Sequence, residues 1–478
     1  MTDPSHPPVR IGLFGIGLDA YWPQFAGLKE RLEGYLARVA GKLARPGVEV
    51  VNVGLVDNPD RAYEAGREFR REDVDLIFLH VTTYALSSTV LPVVRRAKVP
   101  VIVLNLVPEP ALDYAAFNAL GDRTRMTGDW LAFCSACPVP EIANVFQRAG
   151  IPFHQITGVL ENDPVCWNEV DAWVEAARVA AGMANNRLGL MGHYYGGMLD
   201  IYSDVTLQCA TFGTHVEMLE VEELAARRGD VSDAEIAARV AEFHEVFAVQ
   251  PDCPAADLAD AARTAVALDR LVADYRLGSM AYFHKGTGVG ECEAAIASII
   301  LGTSQLTGRG IPVAGEYEVK NVQAMKIMDL FGAGGSFTEY YAMDFTDDVV
   351  LMGHDGPGHI AIAEGKTKVR PLDVYHGKVG RGVSVEMAVK HGPVTLLSVI
   401  ERNGRLALLC AEGESVPGPI LEIGNTNSRY RFPCGARAFV NRWNTAGPAH
   451  HCAVGVGHLA DRIGKLACLL GIEAIRIS

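Results

Sequence analysis

Basic residues are in the minority in this chain: 43 Lys and Arg stand against 57 Asp and Glu, a net charge of −14. Contact with a nucleic-acid backbone draws on clustered cations, so this balance argues against a nucleic-acid partner. No run of about eighteen apolar residues occurs, so no transmembrane helix is expected. Met1 to Pro8 is polar and proline-rich, and the apolar stretch Val9 to Gly17 is short and broken by glycine, unlike a secretory h-region. Ten cysteines are scattered over the whole length, which fits thiols kept reduced in the cytoplasm better than a disulfide framework. Cys134-Ser135-Ala136-Cys137 has redox spacing, but it lacks a thioredoxin-like setting and a second pair that would suggest zinc. The dinucleotide and phosphate loops are missing too. Gly15-Ile16-Gly17 lacks the third glycine of its motif, and Gly286-Thr287-Gly288-Val289-Gly290, which lacks the lysine and Ser/Thr, reads as a turn.

What is present is apolar mass: 49% of 478 residues are hydrophobic, enough for about two to four domains. The first 180 residues alternate strand and helix. Val9 to Gly15, Val48 to Leu55, Asp75 to His80 and Val99 to Leu106 read as buried strands, with a long amphipathic helix from Trp22 to Leu43 after the first. Near-continuous apolar strands separated by helices imply a parallel, doubly wound sheet. Ligands of such sheets gather at the carboxyl ends of the strands, here Gly15 to Tyr21, His80 to Tyr84 and Asn105 to Glu109.

A second α/β domain, residues 181–335, opens on the strand Arg187 to Gly192, followed by His193-Tyr194-Tyr195. Val221 to Phe247 reads as surface helices, Thr264 to Asp274 as a further helix and Met280 to His284 as a strand. In residues 336–478 the texture changes. Val349 to Met352, Val383 to Val389, Val394 to Arg402 and Leu406 to Glu412 alternate and turn at glycines such as Asn403-Gly404, which implies a mostly antiparallel β domain. Ala460 to Leu470 reads as a closing helix and Glu473 to Ile477 as a last strand.

The chemistry-bearing residues concentrate late. Glu316 follows an apolar run at Gly315, Glu339 follows the glycine turn Gly332 to Gly335, and His354 ends a short strand. Further on, His450 and His451 are adjacent, and neighbours in extended chain point opposite ways, so only one should face a given site. Two carboxylates and two imidazoles suit a borderline divalent ion such as Mn²⁺ or Co²⁺, whereas structural zinc would call for thiolates. Each residue alone has a plainer reading. Glu316 could begin a helix, Glu339 could lie on the surface beside Tyr340 and Tyr341, and His354 could be a packed core histidine. His359, His376 and His391 read as structural or supporting.

In this order, the segments resemble the L-arabinose isomerase and L-fucose isomerase families of aldose–ketose isomerases. Gly315-Glu316-Tyr317-Glu318 ahead of Met325-Lys326-Ile327-Met328 is similar to the arabinose isomerases' Thr-Glu-Gly-Asp-Trp and the Ile-Met-rich helix behind it. Gly334-Gly335-Ser336-Phe337-Thr338-Glu339-Tyr340 resembles their Gly-Gly-Thr-Ser-Phe-Met-Glu-Asp-Tyr. Leu351-Met352-Gly353-His354, Asp373-Val374-Tyr375-His376 ahead of Gly380, and Gly447-Pro448-Ala449-His450-His451 resemble three further family segments.

The resemblance implies two α/β domains, a β-barrel-like C-terminal domain, and a homotrimer or homohexamer with active sites between subunits. It implies a divalent metal, Mn²⁺ by expectation, held by Glu316, Glu339, His354 and His451, the second histidine of the pair. It also implies a sugar substrate, a pentose, deoxyhexose or relative, with Glu316 and Glu339 as the acid–base pair working through a cis-enediol. The chain departs from the family at Gly15 to Tyr21, at Val81-Thr82-Thr83 and at Asn105 to Pro108, where a sugar's distal hydroxyls would be held. The resemblance therefore speaks for the reaction rather than for L-arabinose. Asp19, Tyr21, Thr82, His193 and Tyr194 are the candidate substrate contacts. Two rival readings are a non-catalytic sugar-binding regulator of the same fold and a metal-dependent epimerase acting on a polyol.

Overall fold

The computed structural model describes residues 8–286, 290–372 and 381–478. The middle of the turn expected at Gly286 to Gly290, and the Asp373 to His376 segment with Gly380, lie outside the described residues. The chain forms two compact units, Met1–Ala181 and Gly182–Ser478.

The first unit carries β1 (Val9–Ile16), β2 (Val48–Val56), β3 (Leu76–His80), β4 (Val101–Val107) and β5 (Phe153–Val159). All pair in parallel, in the order β2-β1-β3-β4-β5. β3 is completely buried and β1 is buried except at Arg10, and Phe14, Phe69, Ile77, Leu79 and Val103 share one core. The order reverses direction beside β1, which places the crevice of this sheet at the carboxyl ends of β1 and β3. The helix expected from Trp22 begins only at Leu28. Gly27, the residue before that helix, takes a left-handed φ of +79°, and a single 3-10 turn occupies Asp19–Tyr21. β5 is an edge strand, half-exposed and polar (Phe-His-Gln-Ile-Thr-Gly-Val), which hides it from an apolar pattern search.

In the second unit, β6 (Arg187–Gly192), β7 (His215–Leu219), β8 (Ala248–Val249), β9 (Ser279–Phe283) and β10 (Val313–Ala314) follow in chain order. Four of them form a parallel sheet, β10-β9-β6-β7. The C-terminal segment supplies β11 (Gly334–Asp344), β12 (Val349–His354), β13 (Lys368–Leu372), β14 (Gly382–Glu386), β15 (Gly392–Arg402), β16 (Arg405–Val416), β17 (Thr426–Arg431), β18 (Cys452–Val456) and β19 (Glu473–Ile477). β15 pairs with both β18 and β16, which closes β15-β18-β11-β12-β17-β16 into a six-stranded antiparallel barrel, and β19 adds in parallel to β16. The fold class expected from the pattern, parallel α/β sheets followed by a mostly antiparallel barrel, is the one observed.

One strand went elsewhere. The Val383 to Val389 run gives β14, which pairs with β13 in a small sheet with β8 and stays outside the barrel. Its only carboxylate, Glu386, is buried and ion-paired to Arg370 at 2.9 Å and Lys368 at 3.4 Å, both on β13, the strand it pairs with. The helix Val319–Leu330 is buried almost all round, so it shows little amphipathic pattern. Its buried Lys326 ammonium donates to Gly310 O at 2.9 Å and to Asp329 Oδ2 at 3.1 Å.

Candidate metal and proton-transfer site

Glu316 enters the site from a strained turn. At the end of β10, Glu316 and Tyr317 both take left-handed φ values, +59° and +60°, without being glycine. Such backbone costs about 1–3 kcal/mol per residue and persists where surrounding structure enforces it. Three backbone bonds do so here. Tyr317 N donates to Tyr282 O at 2.9 Å, Glu318 N to Gly315 O at 3.0 Å, and Tyr195 N to Glu316 O at 3.3 Å.

Glu339 and His354 come from the barrel. Glu339 sits within β11 opposite Gly353 of β12, and His354 is the last residue of β12. Gly353 is required by close approach, since a Cβ there would lie 2.0 Å from Thr426 O on β17. His451 immediately precedes β18. The Phe337 ring lies 4.2 Å from the His354 ring and 4.5 Å from the His451 ring, which limits how either can tilt.

These four side chains converge. Glu316 Oε1 is 4.0 Å from His354 Nε2, and Glu316 Oε2 is 3.4 Å from His451 Nε2. Glu339 Oε2 is 3.8 Å from His451 Nε2. Two triads have ligand atoms close enough to share one ion, Glu316–His354–His451 and Glu339–His450–His451. Glu316 Oε2 and His451 Nε2 are buried and make no hydrogen bond among the described residues. Burial without such a bond is costly for both atoms unless another partner completes them. A borderline divalent cation with N and O ligands fits this donor set.

Burial raises the Glu316 carboxyl above its ordinary pKa, with the Glu339 charge adding to the rise and the His451 charge opposing it. His450 is raised chiefly by its 2.6 Å contact with Glu339 Oε2. Both histidines thus approach Glu339, contrary to the expectation that only one would. The chain bends at His450, and the two rings stand nearly perpendicular at 4.7 Å.

Three residues escaped the sequence reading. Glu318 is fully buried, and its Oε2 lies 3.4 Å from His451 Nδ1. With Nδ1–H donated to Glu318, His451 keeps its Nε2 lone pair for the Glu316 and Glu339 side, the arrangement that orients imidazole ligands. The alternation Glu316-Tyr317-Glu318 was visible, but burial of the second carboxylate was not. Tyr195 and Asp355 were also missed. They line a hollow of about 80 Å³ together with Glu316, His354, Phe283 and Pro357.

The expected substrate residues fall into two groups. His193 and Tyr194 belong to the second unit but do not line that hollow. His193 packs edge-on against Phe283, and Tyr194 packs against Tyr202 and Tyr317 with its hydroxyl at Ser203. Asp19, Tyr21 and Thr82 belong to the first unit, at the carboxyl ends of β1 and β3. Asp19 is exposed, and Tyr21 is half-buried against Trp22 and Phe25. Thr82 is buried, and its hydroxyl donates to Ile16 O and accepts from Ile16 N at 3.2 Å. That engagement ties the segment after β3 to β1.

A closed barrel that carries Glu339, His354 and His451 beside a parallel sheet that delivers Glu316 defines the class, and the comparisons agree on it. Residues 334–473 match the family model of the L-arabinose isomerase C-terminal domain. The chain is 22% identical over 339 residues to L-arabinose isomerase 1 of Bacillus licheniformis, covering 69% of this chain and 67% of that protein. It is 24% identical over 328 residues to the L-arabinose isomerase of a Shewanella species, strain ANA-3, covering 65% and 63%. To that of Mycolicibacterium smegmatis it is 22% identical over 350 residues, covering 70% and 68%. The matched stretch thus spans about two thirds of these relatives' own lengths. These matches support an arabinose isomerase-like family.

Proposed function

We propose that the protein is a metal-dependent aldose–ketose isomerase acting on a small sugar through a cis-enediol. The observation that carries this reading is the pair of triads Glu316–His354–His451 and Glu339–His450–His451, which share His451, with buried Glu316 Oε2 and His451 Nε2 making no hydrogen bond among the described residues. Glu316, Glu339, His354 and His451 would hold the ion, and Mn²⁺ is the species we expect. When bound, it would supply Lewis-acid polarisation of the sugar's carbonyl and adjacent hydroxyl oxygens. The two carboxylates divide the proton transfers, one taking the proton from carbon and the other exchanging one with oxygen. Their unlike surroundings support such a division. Glu316 lies in a buried, strained turn with a raised pKa, while Glu339 is in contact with His450.

The names of the relatives support the isomerase class, and we extend it to this chain as a whole. An open range of substrates is kept, because the family segments are replaced at the first-unit strand ends. We place the enzyme in the cytoplasm, a reading supported by ten free cysteines, and infer a homotrimer or homohexamer with sites between subunits.

The test is ketose formation from pentoses, 6-deoxyhexoses and tetroses with added Mn²⁺, comparing the native protein with Glu316→Gln and Glu339→Gln. Loss of a positioned proton-transfer group lowers turnover by about 10²- to 10⁴-fold. Undiminished turnover in either variant overturns the assignment. Sugar binding without turnover in the native protein would favour the regulator reading, and formation of an epimer instead of a ketose would favour the epimerase.

A further inference from the structure

The segment from His193 to Asp204, between β6 and the next helix, touches the candidate site at three places through its backbone and one side chain. Tyr195 N donates to Glu316 O at 3.3 Å, on the strained turn. Asp200 O accepts from the buried ammonium of Lys320, in the first turn of the helix that follows Glu318. Asp200 Oδ2 accepts from His450 N at 2.7 Å. One exposed residue therefore bridges the start of that helix and the His450–His451 turn, reaching 120 positions to Lys320 and 250 to His450.

From this bridge we infer that Asp200 is a positioning residue: its carboxylate fixes the His450–His451 turn relative to the Glu316–Glu318 turn. The inference rests on the isomerase reading above and deepens it. The turn that carries the two histidines has few anchors of its own. Gly447 N bonds to Asn444 O, Ala449 N bonds to Ser398 Oγ at 3.1 Å, and His450 N bonds to Asp200. The Ser398 bond ties the turn to the barrel, and the Asp200 bond ties it to the parallel-sheet side that supplies Glu316.

His450 and His451 both approach Glu339, and His451 also approaches Glu316, so displacement of this turn alters every histidine–carboxylate distance in the cluster but those of His354. Because Asp200 is an exposed loop residue, loss of its carboxylate should disturb the site far more than the fold. A carboxylate–amide bond depends on an acceptor oxygen rather than on negative charge alone, so asparagine should replace aspartate and alanine should not.

The experiment is calorimetric titration of Mn²⁺ alone into metal-stripped protein, with thermal unfolding of the same samples. Asp200→Ala should weaken Mn²⁺ binding by about tenfold, the low end of what lost supporting contacts of a metal site cost, because Asp200 holds the backbone next to His451 rather than the ligand itself, with little change in the unfolding midpoint. Asp200→Asn should bind nearly as the native protein does. Asp200→Ser, whose hydroxyl is one bond shorter, should behave like the alanine variant, and it keeps the test open if alanine unfolds. Native-like Mn²⁺ affinity in the alanine or serine variant overturns the inference while leaving the isomerase reading intact. Equal weakening in the asparagine variant also overturns it, since charge and not the bond would then be at work. No Mn²⁺ binding by the native protein would overturn the reading and the inference together.

Discussion

Two imidazoles of this protein are equally buried and end in opposite situations. His80, at the carboxyl end of β3, is 1% exposed, and His451, before β18, is 0% exposed. Each leaves one ring nitrogen without a hydrogen bond among the described residues, Nδ1 in His80 and Nε2 in His451. Around His80 only burial acts, and it holds the ring neutral with a pKa lowered to about 3. Around His451 stand Glu316, Glu339 and Glu318, all within 3.8 Å. Burial by itself yields an inert core histidine. Burial with carboxylates on both ring edges gives an imidazole that, with Nδ1–H donated to Glu318, offers its Nε2 lone pair toward Glu316 and Glu339.

The comparison is broken most directly by taking one carboxylate away from His451. In Glu318→Gln the side-chain oxygen still reaches Nδ1, but the negative charge that makes the imidazole a better ligand is gone. Mn²⁺ affinity should fall by about tenfold or more, at the lower end of what outer-shell substitutions cost. Calorimetric titration measures it directly. Native-like affinity would mean that His451 is oriented by Phe337 and the barrel alone.

His80 provides the contrasting case, read through pH. Its folded pKa is depressed to about 3 from an unfolded value of 6.5. The unfolded chain therefore takes up the proton first as the solution is acidified. The stability tied to keeping this ring neutral is fully present above pH 6.5 and is lost as pH falls from there toward 3. The slope approaches about 1.4 kcal/mol per pH unit, or roughly 2 kcal/mol between pH 6.5 and 5. Urea unfolding at pH 7 and pH 5 should show that loss, and His80→Phe should remove this part of it. An unchanged pH slope in the variant would mean that acid acts through other groups.

The sequence disclosed the parts of this molecule that rest on local pattern. Apolar strands between helices implied the parallel sheet of the first unit, and Ala460–Leu470 and Glu473–Ile477 end where their patterns end. Glu316 and His354 could be named because each stands beside a glycine at an element end, and Glu339 and His451 because their segments resemble one family. Burial and long-range pairing could not be read in the same way. Nothing in the composition of Glu318 distinguishes a fully buried carboxylate from a solvated one. The contact of His450 with Glu339 depends on a turn whose anchors, Ser398 and Asp200, lie far away in the chain. The buried helix Val319–Leu330 has no polar face to betray its orientation, because nearly every side of it is covered.

Thr82 sharpens the comparison at its smallest scale. Like the orphaned atoms of the site it is a buried polar group, 2% exposed, at the carboxyl end of a parallel strand, where ligands of such sheets gather. Unlike them, it is fully engaged, donating to Ile16 O and accepting from Ile16 N. If engagement marks a structural group, Thr82→Val should leave KM for the best aldose unchanged while leaving two buried backbone groups of Ile16 short of a partner. The cost should be about 1–3 kcal/mol of stability, because valine keeps the volume and loses only the hydroxyl. Denaturant unfolding and steady-state kinetics on one preparation separate the two effects. A raised KM with unchanged stability would place Thr82 against substrate after all, and would show that a hydroxyl bonded to its own sheet can still exchange that bond for a sugar's.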